Sequence, residues 1–488
     1  MRLKKYRNLL DSCNGKGSGI LRLYRYRNAE KMLNYKELEN KNMFFAPSDM
    51  QNDPMEGISD IVWNGDYIAW ENLFKNYCMN LCQVILFYST AIVCKEDTIF
   101  DSMKKITAGF NSQIPYRYVL TQAANQFVTN EYVILFLNHL INRDVRKYEL
   151  MIMIKCIHPL ALQAALMNLY PDETQYPIAI EKLLQLYDYE KIKTYLSEEE
   201  NPIKVELFFQ KFYSVVQGII TGGMRSEKKH DISKVVDAYL FVINHFTGYY
   251  ICEITKWCFP NYFMVCFSKN CENSSMWSYY ADAHKGVCLI YEISDDNQEL
   301  VVKKPPAFGI PYGENKKLKF YNIDYQKKLL RIEFFSHCLK ILQLKDELRN
   351  GWIFNEDGNF SKSFVKMIDD KEGWLKEYEK LVFGVATRKD EDWKHEEEMR
   401  LIMPDYWKDE ICSTGAAMEY DFSKLVGVIF GINTPEDVKL KVIEALENAK
   451  ELDDNFEFYQ AYYDYIDGKI GKWEIPIADL RKRKFGNK

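Results

Sequence analysis

The spacing of apolar residues changes abruptly along this chain, and the change constrains the fold more than any single motif. Residues 61–250 repeat apolar side chains every three or four positions, and glycine is sparse between residues 66 and 217. This pattern is typical of helices that pack through one face. The flanking segments instead contain short apolar runs bounded by turn residues, which favour strands. A strand-containing module therefore has to accommodate a long helical block within its own sequence.

The predicted fold class is α+β, with a small mixed sheet interrupted by a large all-helical insertion. The α+β core module is expected in two sequence pieces, residues 18–60 and 260–450, and the helical insertion at residues 61–255. The remaining segment, 451–488, is a C-terminal tail rich in aromatic and charged residues. Its one candidate element is a helix near residues 456–465.

Composition excludes several classes of protein. Of the 488 residues, 47% are hydrophobic and 27% are charged, which is typical of a globular chain and not of a disordered one. A net charge of −6 argues against a dedicated duplex-binding protein. The 12 cysteines form no C-x-x-C pair, which argues against a structural zinc site and indicates reduced thiols.

The hydropathy pattern predicts a protein that does not enter a membrane. The basic segment Met1–Lys5 is not followed by an apolar stretch, so we expect no signal peptide. The longest apolar stretches, near residues 81–94 and 132–141, are shorter than the roughly 20 residues that span a bilayer. We expect a soluble, cytoplasmic protein.

The first candidate site segment is Leu23-Tyr24-Arg25-Tyr26-Arg27. Alternation along a strand places Arg25 and Arg27 on one face and the two tyrosines on the other. Two guanidinium groups side by side suit a phosphate or carboxylate, because each is a planar fork of donors. A solvated face of an edge strand is the alternative interpretation.

The second candidate is the turn Asn52-Asp53-Pro54-Met55-Glu56. Asn-Asp-Pro is a strong turn signal, since Asx side chains cap the local backbone. Asp53 and Glu56 could also present carboxylates to a site. A capped turn without a further role is the alternative interpretation.

The third candidate begins at Ser268, which ends a predicted strand and precedes a short aromatic helix. Trp277 and Tyr280 share one face of that helix at i and i+3. Aromatic side chains can form the wall of a pocket for a flat ring. Packing in the core is the alternative interpretation.

The fourth candidate is the run Trp393-x-x-Glu396-x-Glu398-x-Arg400. If the backbone is already extended here, Glu396, Glu398 and Arg400 share a face. Two close carboxylates repel each other, which predicts that the pKa of one of them rises and suits acid–base work. His395 would point away from this face. An acidic surface segment is the alternative interpretation.

Taken in order, these motifs resemble the bacterial domain-of-unknown-function family DUF2971, over residues 20–60 and 262–445. The residues that carry the resemblance are Leu23-Tyr24-Arg25-Tyr26, Asn52-Asp53-Pro54-x-Glu56, Cys266-Phe267-Ser268, Met276-Trp277-x-x-Tyr280-Ala281, Gly286, Trp393-x-x-Glu396-x-Glu398-x-Arg400 and Val428-Ile429-Phe430-Gly431. The large helical block departs from the family pattern, so the resemblance does not specify a substrate or a partner.

The order of these residues is also similar, more distantly, to that of ADP-ribosyltransferases of the Arg–Ser–Glu type. The similarity implies that NAD is the substrate and that Arg25 holds one of its phosphates. Ser268 would orient the nicotinamide side. Glu398 would hydrogen-bond the nicotinamide ribose and stabilise an oxocarbenium-like centre as nicotinamide leaves.

The same similarity implies roles for three further residues. Glu396 would position or deprotonate the acceptor, and Trp277 or Tyr280 would stack on the nicotinamide ring. The acceptor stays open: a protein, a nucleic acid, a small molecule, or water in an NAD hydrolase. The sequence does not decide whether Arg25 or Arg27 faces the site.

Two other functions stay open. Asp53, Glu56, Glu396 and Glu398 could hold Mg²⁺ in a metal-dependent nuclease, although an arginine follows Glu398 where such enzymes typically carry a lysine. Alternatively, the module is non-catalytic, and the helical insertion binds a partner or self-associates. An NAD-consuming enzyme with a helical sensor block would fit a role in bacterial defence, for example against phage, or in toxicity.

Overall fold

The computed structural model describes most of the chain, in eleven ranges. These are residues 19–94, 105–110, 116–171, 210–211, 214–215, 218, 232–259, 262–303, 315–404, 415–449 and 455–476. The chain divides into two compact units. Residues 1–58, 261–329 and 383–488 form the first, which we call the sheet unit, and residues 59–260 and 330–382 form the second, the helical unit.

The described residues contain sixteen strands. They are β1 (Ile20–Arg27), β2 (Asn42–Pro47), β3 (Asp60–Trp63), β4 (Val145–Arg146), β5 (Tyr262–Ser268), β6 (Val287–Ser294), β7 (Glu299–Lys303), β8 (Asn315–Asn322), β9 (Asp324–Tyr325), β10 (Arg331–Glu333), β11 (Arg388–Lys389), β12 (Glu398–Pro404), β13 (Ala416–Tyr420), β14 (Leu425–Phe430), β15 (Glu457–Asp464) and β16 (Lys469–Glu474).

The α-helices of the described residues number fourteen. They are α1 (Ala29–Asn34), α2 (Tyr67–Cys94), α3 (Arg117–Val128), α4 (Glu131–Leu140), α5 (Lys147–Leu169), α6 (Ile232–Leu240), α7 (Phe246–Thr255), α8 (Ser274–Tyr280), α9 (Phe334–His337), α10 (Leu339–Leu342), α11 (Asp346–Ile353), α12 (Val365–Asp369), α13 (Lys371–Ala386) and α14 (Glu436–Ala449). The mixture of helices and strands confirms the predicted α+β class.

Strand β5 organises the sheet unit, because it has a different neighbour at each end of one edge. Along its other edge β5 pairs with β12 over its whole length. On the first edge it pairs with β2 near its start, where Met264 faces Ala46, and with β1 at its end, where Ser268 faces Tyr24. Strands β1 and β2 therefore diverge from each other alongside β5.

The two branches of the sheet continue differently. On one side β1 leads through β6, β14 and β15 to β16. On the other side β2, β13, β7, β8 and β12 pair in sequence, and β12 returns to β5, so six of the described strands close a ring. Closure leaves these strands with paired neighbours on both sides, which removes exposed edges. With eleven strands in the described residues, this sheet is larger than the small one expected.

Alternation along β1 divides its apolar side chains between two cores. In β1, Leu23 enters the larger core, which also receives the ring strands and α14. Tyr26, on the opposite face of β1, enters a smaller core with Trp277. Gly286 directly precedes β6 beside β1, where a Cβ atom would come within 2.2 Å of the Arg27 carbonyl oxygen. Only glycine fits this close approach.

Long buried helices dominate the helical unit, as the apolar spacing predicts. A small sheet of β10, β3 and β4 accompanies them, so the block is not all-helical. Among the described residues, α5 is the one helix long and apolar enough to cross a bilayer, and 72% of its most apolar window is buried inside the structure. Such burial is typical of a core helix in a soluble protein.

One predicted domain boundary and one predicted helix differ from the structure. Residues 330–382 belong to the helical unit, where β10 pairs with β3, because helical spacing does not reveal which core a helix joins. The predicted helix near 456–465 is wrong: β15 lies there, and alternating burial along Glu457–Asp464 accounts for the strand. Much of the predicted insertion, including 172–209 and 219–231, and residues 477–488 of the tail lie outside the described residues.

Candidate functional site

A cleft of about 900 Å³ opens in the sheet unit where β1 and β2 diverge beside β5. Its lining includes eight of the predicted site residues: Tyr24, Arg25, Arg27, Asn52, Ser268, Tyr280, Glu396 and Glu398. The volume lies in the range of small-molecule sites, roughly 300–1,000 Å³. The cleft is therefore the candidate site.

The strand register brings three predicted residues into one row. Ser268, at the end of β5, faces Tyr24 of β1 on one side and Glu398 of β12 on the other. Arg25 follows Tyr24 directly. The sequence order Arg–Ser–Glu thus becomes a spatial arrangement across three neighbouring strands.

One lysine links the two carboxylates of the Glu396-x-Glu398 motif. The Nζ atom of Lys389 lies 2.5 Å from Oε2 of Glu396 and 3.1 Å from Oε2 of Glu398. All three side chains are buried, with at most 6% exposed. The ring of Trp393 lies over the ammonium group at 4.9 Å, a distance that suits a cation–π contact.

Arg400 joins Glu398 to the turn at Glu56. Its Nε atom donates to Oε1 of Glu398 at 2.7 Å, and its Nη2 atom donates to Oε2 of Glu56 at 2.9 Å. Its Nη1 atom donates to the Ala386 carbonyl at 2.6 Å and also binds Glu56. Only 1% of the Arg400 side chain is exposed, so this arginine fixes carboxylates and does not reach into the cleft.

For Glu398, these cations overturn the expectation that repulsion between the two glutamates raises a carboxylate pKa. Burial does act in that direction on Glu398, but the charges of Arg400 and Lys389 outweigh burial and hold the pKa of Glu398 at about 2. Burial likewise acts to lower the pKa of Lys389, yet Glu398 and Glu396 hold that pKa above its usual value. Glu398 is therefore a fixed negative charge at neutral pH.

The backbone between the two glutamates is not extended, contrary to the assumption made from the sequence. Glu396 ends a 3₁₀ turn over Glu391–Glu396, and Glu397 adopts a left-handed conformation with φ of 46°. The turn begins at Asp390, whose side chain accepts a hydrogen bond from the Asp392 amide at 3.0 Å. With Glu397 in this conformation, the side chains of Glu396 and Glu398 both contact Lys389.

A second charged group lies on β1. Arg27 Nε donates to Oε2 of Glu37 at 3.1 Å, and its Nη2 atom binds the same carboxylate. Arg25 Nη1 lies 3.5 Å from Glu37 Oε2. The two arginines share a face, as predicted, and both line the cleft. Two guanidinium groups share one carboxylate here, which leaves a positive charge for an anionic ligand.

Ser268 connects β5 to the glutamate segment. Its hydroxyl donates to the Glu396 carbonyl at 2.7 Å and accepts a hydrogen bond from the Asn270 amide at 3.0 Å. The side chain of Ser268 thus positions the segment that carries Glu396. It is itself only 1% exposed.

Of the two aromatic candidates, Tyr280 lies in the cleft and Trp277 lies in the core. Tyr280 lines the cleft and donates from its hydroxyl to Oε1 of Glu396 at 2.7 Å. Asn52, which also lines the cleft, contacts the same hydroxyl. Trp277 is fully buried, and its indole donates to the Cys271 carbonyl at 2.8 Å. The core-packing interpretation therefore holds for Trp277, which does not line the cleft.

The remaining candidates have local structural partners. Asp53 caps its own turn by accepting a hydrogen bond from the Met55 amide at 2.8 Å. Tyr24 lies under the ammonium group of Lys472 at 5.2 Å. Among the residues the structure describes, no group of three His, Cys, Asp or Glu side chains could hold a metal ion. Glu56, Glu396 and Glu398 are instead paired with Lys389 and Arg400.

Sequence reasoning missed three residues of the site. Lys389 and Glu37 pair with the predicted carboxylates and arginines, and the Tyr325 hydroxyl accepts a hydrogen bond from the Glu398 amide at 2.7 Å. Lys389 lies in a charged stretch and Glu37 follows a short helix, so neither stands out by spacing. Tyr325 lies on β9, which pairs with β11 beside Lys389. Lys389, Glu37 and Tyr325 come close to the predicted site residues only in the tertiary structure.

Comparison with known families supports the expected resemblance. Residues 276–401 match the model of a protein family of unknown function, DUF2971. Over this segment the chain is similar to DUF2971. The segment contains Tyr280, Lys389, Glu396 and Glu398, whereas β1 and the Glu56 turn lie outside the match. No curated protein and no solved structure matched the chain.

Proposed function

We propose that the sheet unit is an ADP-ribosyltransferase-like module that binds NAD in the cleft and cleaves the bond between nicotinamide and ribose. ADP-ribose would pass to an acceptor or to water. The observation that carries the proposal is that Arg25 of β1, Ser268 of the neighbouring β5 and Glu398 of β12 line one cleft together with Glu396.

The charges of the cleft suit the parts of NAD. Arg25 and Arg27 would hold the pyrophosphate through charge-assisted hydrogen bonds. Glu398 would face the nicotinamide ribose, where positive charge develops as nicotinamide leaves. Because Arg400, Lys389 and the Tyr325 hydroxyl already orient this segment, its charge needs no rearrangement during the reaction, which is the condition for electrostatic stabilisation.

Tyr280 would stack on the nicotinamide ring. The sequence left this role open between Trp277 and Tyr280, and of the two only Tyr280 lines the cleft. Its hydroxyl contact with Glu396 would place the ring beside the reacting carbon. The helical unit would then be an insertion that senses a signal or binds a partner, in a cytoplasmic enzyme of bacterial defence or toxicity.

A non-catalytic module is the second candidate, and one observation favours it. Both oxygens of Glu398 already accept hydrogen bonds, from Arg400 and from Lys389. Such a network can serve only to fix strands and the Glu56 turn. Under this alternative, partner binding by the helical unit would be the function.

Incubation of the full chain with NAD and EDTA separates the two candidates. Nicotinamide release is compared between the wild type, Glu398→Gln and the matched control Glu397→Gln, whose side chain is exposed. We expect release by the wild type and the control, and its loss in Glu398→Gln at a temperature at which circular dichroism shows that this variant is still folded. An absence of release, together with no rise in melting temperature on adding NAD, would reject the enzyme and favour the non-catalytic module.

A further inference from the structure

The position of Lys389 bears on which acceptor the cleft can use. Its ammonium group lies 2.5 Å from Glu396 and 3.1 Å from Glu398 and is confined by the Trp393 ring. With 6% of its side chain exposed, it is a permanent part of the site and not a surface lysine. Glu396, the residue next to the expected acceptor position, is thus already paired with a cation.

The buried cluster around Lys389 and Arg400 contains more negative than positive groups. Among the described residues, the cluster holds three carboxylates, those of Glu56, Glu396 and Glu398, against two cations, Lys389 and Arg400. One negative charge is therefore left uncompensated. Tyr280, Tyr325 and Cys266 border the cluster as neutral groups at pH 7, because burial raises the pKa of each.

Cleavage of NAD moves the positive charge of the nicotinamide ring onto the ribose, beside this one negative charge. As the C1′–nitrogen bond breaks, its electron pair leaves with nicotinamide and positive charge develops on the ribose. A cationic acceptor would bring a second positive charge to a buried cluster whose other carboxylates are already paired with Lys389 and Arg400, which is strongly unfavourable. An uncharged acceptor adds no such charge.

We infer that the acceptor is an uncharged hydroxyl group, that of water or of an alcohol, and that Lys389 is the residue that excludes cationic acceptors. This inference rests on the proposed function. A lone pair of the hydroxyl oxygen forms the new bond to C1′, and its proton passes to the Glu396 carboxylate and then to solvent. NAD and the hydroxyl compound thus give the ADP-ribosyl product, nicotinamide and one proton.

The experiment offers two acceptor probes to the full chain in the presence of NAD. Methanol serves as the uncharged hydroxyl probe and agmatine as the guanidinium probe, and mass spectrometry measures the methyl, agmatine and water products beside nicotinamide release. The variants are Lys389→Met, which removes the charge, and Lys389→Arg, which keeps it. Lys394→Met, at an exposed lysine of the 3₁₀ turn that ends at Glu396, is the matched control.

We expect the wild type and Lys394→Met to give the water and methyl products with little agmatine product. Lys389→Arg should keep this product ratio, because it keeps the charge, at a lower rate of nicotinamide release. Lys389→Met should raise the ratio of agmatine to methyl product by about tenfold or more, because it leaves Glu396 without its cation. Agmatine as the main acceptor of the wild type would overturn the inference, and this arm does not depend on the folding of any variant. So would an unchanged ratio in a Lys389→Met variant that still releases nicotinamide.

The failure of the proposed function looks different. It would give no nicotinamide release from the wild type with either probe, and the acceptor assignment would be rejected with it.

Discussion

The two ends of the cleft carry opposite charge and are built differently. At one end, Arg25 and Arg27 share the single carboxylate of Glu37, and Arg27 is 25% exposed. At the other end, Glu56, Glu396 and Glu398 surround Lys389 and Arg400, and no side chain of the five exceeds 6% exposure. The first end has cationic donors available to a ligand, whereas the second is a closed network. Under the proposed function, the first end binds the ligand and the second holds a charge in place.

The largest expected effect is at the closed end. Arg400→Met leaves Glu56 and Glu398 buried without a shared cation, which should lower the free energy of unfolding by about 3–5 kcal/mol. The control is Arg22→Met, because Arg22 pairs with Glu292 and Glu457 but is 38% exposed, and its loss should cost about 1 kcal/mol or less. Urea unfolding measures both. Equal losses would contradict the contrast between a closed network and an exposed pair.

A smaller effect is expected at the arginine end. Glu37→Gln leaves Arg25 and Arg27 adjacent without a counter-charge, and we expect a loss of about 1–3 kcal/mol in the free energy of unfolding. Inorganic pyrophosphate should then raise the melting temperature of the variant more than that of the wild type, because the anion replaces the carboxylate. If pyrophosphate shifts neither protein, this end is not an anion site.

The pH dependence of stability distinguishes the ends further. The pKa of Glu398 is about 2 in the folded chain, below the value of roughly 4.3 for an unperturbed glutamate. Its contribution to stability is therefore complete above the unfolded value and is lost as the pH falls toward the folded one. The difference in unfolding free energy between the wild type and Glu398→Gln should narrow between pH 5 and pH 3. A difference that stays constant would show that Glu398 is not held ionised.

The smallest effect concerns the left-handed residue between the glutamates. Glu397→Gly removes the Asn270 hydrogen bond but suits the φ of 46°, so the free energy of unfolding should change by about 1 kcal/mol or less. Glu397→Val, a β-branched residue in the same conformation, should be the more destabilising of the two. Thermal unfolding of both variants checks the order, and a reversed order would contradict the left-handed turn.

The sequence predicted correctly those secondary-structure elements that are specified by residues close together in the chain. Alternation predicted the opposite faces of β1, and the apolar run before Ser294 predicted β6. Thr434-Pro435 predicted the start of α14, although the Thr434 hydroxyl donates to the Gly286 carbonyl at 2.7 Å. Each of these elements follows from neighbouring residues.

The pairing partners of the site could not be predicted in the same way. Glu56 and Arg400 are 344 positions apart, and their buried pair depends on the tertiary structure. Lys389 resembles any lysine of a charged surface segment until Glu396 and Glu398 enclose it. The turn at Glu397 also breaks the alternation on which the sequence prediction relied.

The proposed binding of NAD in the cleft is tested most directly by a crystal structure of the full chain with a non-hydrolysable NAD analogue. It predicts that the ligand occupies the cleft with its pyrophosphate at Arg25 and Arg27 and the nicotinamide ribose at Glu398. A ligand in the reverse orientation, or bound away from the cleft, would contradict it. So would an empty cleft combined with no saturable binding of the analogue in calorimetry.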